Sequence, residues 1–366
     1  MKSTSVWRYF DLWLAAAVLL LTAFGIFAIR SAVTGAPAFE SFPTRQVIFA
    51  LIGIVVMVIM ASIDYRILTS SHWYIYGFII LSLIGVYLVG VINNASRRWI
   101  SIGVTNIQPS EFGRIFLIVT LAQFLVLRQR QMGRFSTTLL SLLYVGLPIA
   151  LVFIQPDLGM SILLIAIWFV LIWLAGLPLS HFAVLATVAV IATVLLYPSL
   201  ADYQRERIVV FLNPEALPEQ SFNIEQALIS IGSGGWFGKG YLQGTQSQLG
   251  FLRVQHTDFI FSVITEEMGL LFGALIVLGL MGFILLRILR IATRTPDPAG
   301  KFIAAGVATV LFFQTVVSVG MNLRILPVTG LTLPFVSYGG SSLITLYMGI
   351  GVVQSVLMRH RKQEFG

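Results

Sequence analysis

Apolar residues in this chain gather into blocks. Ten runs stand out, at about 11–30, 46–63, 73–92, 111–127, 138–155, 159–175, 181–197, 259–287, 302–322 and 336–358. A helix that spans a bilayer needs about 20 mostly apolar residues. The blocks therefore predict an all-α, polytopic integral membrane protein with about ten transmembrane helices, a single transmembrane domain over residues 1–366. The polar breaks are short, with one exception: residues 198–257 form a long loop between the seventh and eighth helices. The fifth and sixth runs meet at QPDLG (155–159), where Pro156 and Gly159 predict a tight turn.

Composition agrees with the blocks. Of 366 residues, 57% are apolar and 10% charged, against about 25% charged in a soluble domain. Without cysteine there are no disulfides and no thiol chemistry. The net charge of +8 fits cytoplasmic loops on an anionic leaflet better than a nucleic-acid partner. With both termini inside, the inner segments hold 13 Lys and Arg and the short outer loops 5, so the positive-inside rule places both termini in the cytoplasm and loop 198–257 outside. The first run lacks a small-residue cleavage site and reads as a span, not a cleaved signal. In the loop, FNIEQALISI (222–231) has helical apolar spacing suited to the interface plane.

Four stretches carry chemistry. FLRVQHTDFIFSVITEEMG (251–269) puts Asp258 at the mouth of the eighth span, with Glu266 and Glu267 roughly 12–14 Å deeper on a straight helix and on different faces. A carboxylate at depth costs several kcal/mol unless it meets water or a partner. Asp258 reads as the lip of an outward polar cavity, or as an interfacial acid paired with an arginine such as Arg253. Glu266 and Glu267 read as members of ion pairs or hydrogen bonds. QPSEFGR (108–114) starts a helix and sets Glu111 and Arg114 three apart on one face. That is either an intrahelical pair or a cavity wall facing Asp258, with SRRWI (96–100) on the same side. GSGGWFGKG (232–240) is an anion-binding turn through Lys239 or a mobile loop; it is not a Walker A motif, since Gly240 follows the lysine. LPFVSYGGSS (333–342) sets hydroxyls and glycines at a span entrance. HTD (256–258) is an incomplete metal-ligand set, and no Ser-His-Asp or His/Cys cluster occurs.

The motifs RRWI, QPSE, QPDLG, IGSGGWFGKG, GTQSQLGFL, QHTDFIFSVITEEMG and LPVTGLTLPFVSYGGSS follow in that order. Together they resemble the SEDS family of cell-wall polymerases, its elongation (RodA) branch more than its division (FtsW) branch, although GLTLPF (330–335) is closer to the latter. The resemblance spans nearly the whole chain. It implies a peptidoglycan glycosyltransferase that polymerises lipid II on the outer face of the bacterial cytoplasmic membrane, beside a class B penicillin-binding protein. It also implies Asp258 of HTDF as the essential acid, acting as general base, and Glu111 of QPSE as a companion that orients acceptor or Arg114. Arg114 stands where the family commonly has lysine, an exchange that suits phosphate binding but not proton loss. Lys239, Arg98, Arg253, Arg324 and Arg114 are then the cations for the leaving diphosphate. Trp99, Gln108, His256 and Ser337 complete the expected substrate-binding set, and a divalent cation, Mg or Mn, is an expected helper. A lipid II transporter, a scaffold for the transpeptidase and a division-type polymerase are the alternatives.

Overall fold

The computed structural model describes residues 6–93, 96–102, 105–200 and 202–365; Lys2, counted above among the inner charges, lies outside them. All ten apolar runs are helices: α1 (Leu12–Ala32), α2 (Phe42–Ser62), α4 (His72–Val89), α5 (Pro109–Arg128), α6 (Phe135–Ile154), α7 (Leu158–Leu174), α8 (Leu179–Leu196), α12 (Ile260–Gly269) with α13 (Leu275–Arg294), α14 (Pro298–Asn322) and α15 (Gly340–Phe365). Short helices α3 (Tyr65–Ser70), α9 (Asp202–Leu212), α10 (Pro218–Gly234) and α11 (Thr245–Gln248) fill the connections. Among the described residues seven helices are long and apolar enough to cross a membrane, and three apolar helices are shorter. The protein is a multi-span membrane protein.

Helix starts follow local chemistry. Asp11, Asp157 and Asp297 accept from the backbone amides of Leu14, Met160 and Gly300, which would otherwise be unpaired in the first turn. The bundle centre is formed by α5, α14 and α15, which are largely buried, α15 most of all. α15 lies close along α2 because Gly351 abuts the Met57 backbone; a Cβ there would come within 2.5 Å of the Met57 carbonyl oxygen. At the end of the bundle where α1 begins, Arg287 forks onto the Asp11 carboxylate at 2.6–2.9 Å, and the Gln354 amide bonds both backbone groups of Asp11. These contacts tie α1, α13 and α15 together.

Two features depart from the sequence expectations. The connection between α4 and α5 is a three-stranded antiparallel ribbon, β1 (Val91–Asn93), β2 (Ser96–Ile102) and β3 (Thr105–Ile107), in the order β1-β2-β3. Trp99 pairs with Val91, and Ile100 with Ile107. The eighth span, expected as one helix over 259–287, is broken. Gly269 adopts φ +72° and a π turn (Leu270–Ala274) separates α12 from α13. Only a glycine takes that φ without strain.

The glycine-rich loop fills the break. Lys239 and Gly240 donate their backbone N–H to the carbonyls of Glu266 and Glu267 (3.0 and 2.9 Å), while Leu270 and Leu271 donate to Gly235 and Trp236 (2.9 and 3.1 Å). The loop is thus docked on the bundle, and the amides of 239 and 240 are used on carbonyls rather than turned to an anion. Glu266 holds the loop further by accepting from Lys239 Nζ (3.1 Å), Thr245 Oγ1 (3.2 Å) and the amides of Gln246 (2.8 Å) and Ser247 (3.1 Å). Glu267 accepts from Ser31 (2.5 Å) and Gln248 (3.2 Å). The segment read as an interfacial helix is α10. It buries Ile224 and Ala227 and packs on α12 and α14.

Candidate active site

The broken span, the ribbon and the turn between α6 and α7 surround a cavity of about 610 Å³. Ribbon residues Arg98 and Trp99, the α5 start Gln108 and Glu111, and Pro156, Asp157 and Met160 form one side. Arg207 of α9, Thr257 and Asp258, and the segments 329–332 and 338–342 form the other.

Asp258 is presented by backbone contacts on three successive carbonyls. His256 O accepts from the Tyr338 amide (2.9 Å), Thr257 O from Ser337 Oγ (2.7 Å) and Asp258 O from Asn322 Nδ2 (2.8 Å). The carboxyl is partly buried. Burial pushes it up to about 6, while the Arg207 guanidinium and a hydrogen bond from Thr257 pull the other way. An acid that titrates near neutrality can both hold and release a proton there.

The opposite wall is an ion-pair relay. Arg98 donates to the carbonyls of Gln155 (2.8 Å) and Pro156 and lies 3.5 Å from Asp157. Asp157 also accepts from Gln108 Nε2 (3.0 Å), which bonds Ser110 Oγ (3.1 Å) in turn. Glu111 pairs with Arg114 at 2.7 Å. Arg114 is fully buried behind the cavity, where Ser342 is a further partner at 3.4 Å. The Glu111–Arg114 motif is thus both an intrahelical pair and, through Glu111, part of the wall.

Of the residues marked in the sequence, Asp258, Glu111, Arg98, Trp99 and Gln108 converge here, with Arg114 behind them. Five stand elsewhere. Lys239 is taken up by Glu266 and Thr245. Arg253 and Arg324 are exposed and away from the cavity lining. His256 turns into a cluster with Phe39 and Phe42 (ring centroids 4.9 and 5.0 Å), where burial lowers its pKa. Ser337 is buried and bonds backbone, accepting from Leu333 N at 2.9 Å. Sequence reasoning passed over Arg207 and Asp157: one lies in the long loop, and the other reads as a helix cap behind a proline. Among the described residues no three His, Cys, Asp or Glu gather as a metal site.

The cell cycle protein family of FtsW, RodA and SpoVE matches residues 11–362. The chain belongs to this family. It is 41% identical over 312 residues to the peptidoglycan glycosyltransferase MrdB of Escherichia coli K12, covering 85% of this chain and 84% of that one. Among solved structures it superposes on a chain from a peptidoglycan synthase complex that coordinates polymerization and crosslinking, with TM-score 0.81, 30% identity, and coverage of 98% and 100%. The rod shape determining protein RodA of Thermus thermophilus matches with TM-score 0.73 and 30% identity, over 98% of this family member and 99% of that chain.

Proposed function

We propose that this protein is a peptidoglycan glycosyltransferase that polymerises lipid II at the outer face of the bacterial cytoplasmic membrane during elongation. The single observation that carries the reading is Asp258, poised near neutrality in a cavity walled by Arg207 and Arg98. The acceptor sugar's hydroxyl gives its proton to the Asp258 carboxylate. Its oxygen bonds the donor's anomeric carbon, and the bond from that carbon to the diphosphate breaks with its electron pair on the phosphate oxygen. Arg207 and Arg98 face the charge that develops on the leaving lipid diphosphate. Glu111 keeps Arg114 in place behind them.

A divalent ion arriving with the diphosphate would be held by Asp157 or Glu111 of the cavity wall and would neutralise charge on the leaving group. A penicillin-binding transpeptidase partner accords with the synthase complex that shares this fold. The test is purified protein with lipid II, with and without chelator. Asp258→Asn is expected to abolish glycan chains and Arg207→Ala to slow their formation at least tenfold. Full polymerisation by Asp258→Asn overturns the reading.

A further inference from the structure

Asp258 lines the cavity from outside helix α12, which starts two residues later. In a regular helix the Asp258 carbonyl would accept the amide of Ser262, four residues on. Here the Ser262 N–H donates instead to Phe259 O at 3.1 Å, and a side chain from another helix shares that N–H and caps the Asp258 carbonyl. Asn322, the last residue of α14, is fully buried. Its Nδ2 donates to Asp258 O at 2.8 Å, and its Oδ1 accepts from Ser262 N at 3.2 Å and Ser262 Oγ at 2.6 Å. Nδ2 also donates to Ser318 O at 2.7 Å. Both donors and both acceptor positions of the amide are therefore filled. The amide bridges the Asp258 carbonyl and Ser262, whose N–H it shares with Phe259 O.

We propose that Asn322 is a positioning residue for Asp258: its amide keeps the acid's backbone unwound from α12 and so aims the carboxyl into the cavity. This rests on Asp258 being the general base. Without the amide, the Asp258 carbonyl loses its cap, the Ser262 N–H can move from Phe259 O to Asp258 O, α12 gains residues at its start, and the carboxyl swings about the helix axis. Displacements of this kind in a reacting group cost on the order of 100-fold in rate.

The test compares purified full-length variants by kcat, KM for lipid II and the pH dependence of kcat. Asn322→Asp keeps the size and both Ser262 contacts but turns an acceptor and a buried acid toward the two carbonyls, so the isosteric neutral Asn322→Leu, which lacks donors and charge, is run beside it. Asn322→Ala removes everything. All three are expected to lose about 100-fold in kcat with KM within about threefold, and to displace the acid limb near pH 6. Gln354→Ala, which removes an equally buried amide at the end of the bundle where α1 begins, is expected to keep wild-type kcat and acid limb even where it lowers stability. Asp258→Asn run in parallel separates the two claims. If it is active, the assignment of the base fails and the inference with it. If it is inactive while Asn322→Asp or Asn322→Leu keeps wild-type kcat and acid limb, the positioning role is wrong. Equal losses in Gln354→Ala and Asn322→Ala, with the acid limb unmoved in both, also overturn it, because a general loss of packing then explains them. If Asn322→Ala does not fold, Asn322→Asp and Asn322→Leu decide; if none of the three folds while Gln354→Ala does, the amide is structural and the proposal falls.

Discussion

Asp258 carries a titration that activity should follow. As a base it works ionised, so polymerisation is expected to rise with pH through about 6 and level off above it, with the limb absent in Asp258→Asn. Stability runs the other way. The folded-state pKa lies above the ordinary 3.8, so the protonated acid favours folding. That contribution is full below 3.8 and is lost as pH rises through about 6. Asp258→Asn is therefore expected to unfold at higher denaturant than wild type at pH 7, by about 1 kcal/mol after allowing for partial solvent contact. Arg114 behaves as half of a buried pair. Arg114→Ala leaves Glu111 without its cation and is expected to cost about 3–5 kcal/mol, measured by unfolding in detergent. At this scale the sequence was informative where a polar residue interrupts an apolar run, as at Glu111 and Asp258. It was silent on which cations approach them. Arg207 and Lys239 look alike in the long loop, and only the docking of α9 and of the glycine segment separates them.

Spans were readable because a lipid-facing or core helix needs only length and apolarity: all ten runs are apolar helices, seven of them of spanning length among the described residues. The ribbon was not, since strands of three to seven residues rich in Asn, Ser and Arg lack an alternating apolar face. Nor was the break at Gly269: Glu266 and Glu267 mark polar chemistry in the run, but nothing in it shows that another segment enters the helix. That insertion makes a prediction at the level of the element. Gly238 has φ +80°, and a Cβ there would overlap the Glu267 carbonyl. Gly238→Ala is expected to undock residues 235–250, seen as new proteolytic cleavage in the loop and a loss of about 2–4 kcal/mol. Undocking also releases the Lys239–Glu266 pair, so activity is expected to fall with it.

For the whole molecule, orientation is the claim most easily checked. The chain has no native cysteine, so single cysteines report cleanly. Arg253→Cys, exposed beside the cavity side, is expected to react with an impermeant maleimide in intact cells, and Arg294→Cys, exposed at the C-terminal end of α13, only after permeabilisation. The reverse pattern would invert the topology and put the cavity on the wrong side of its substrate. The cavity itself is assembled from segments between residues 98 and 342, so no local window of sequence displays it.

The mount beneath Asp258 holds main-chain oxygens at 256, 257 and 258. The His256 ring among Phe39, Phe42 and Tyr338 steadies the same turn, and a shift of the turn at 337–338 or of the α14 tip would tilt the seat. The acid is a tool in a fixed socket: its chemistry is its own, and its aim belongs to distant parts of the chain.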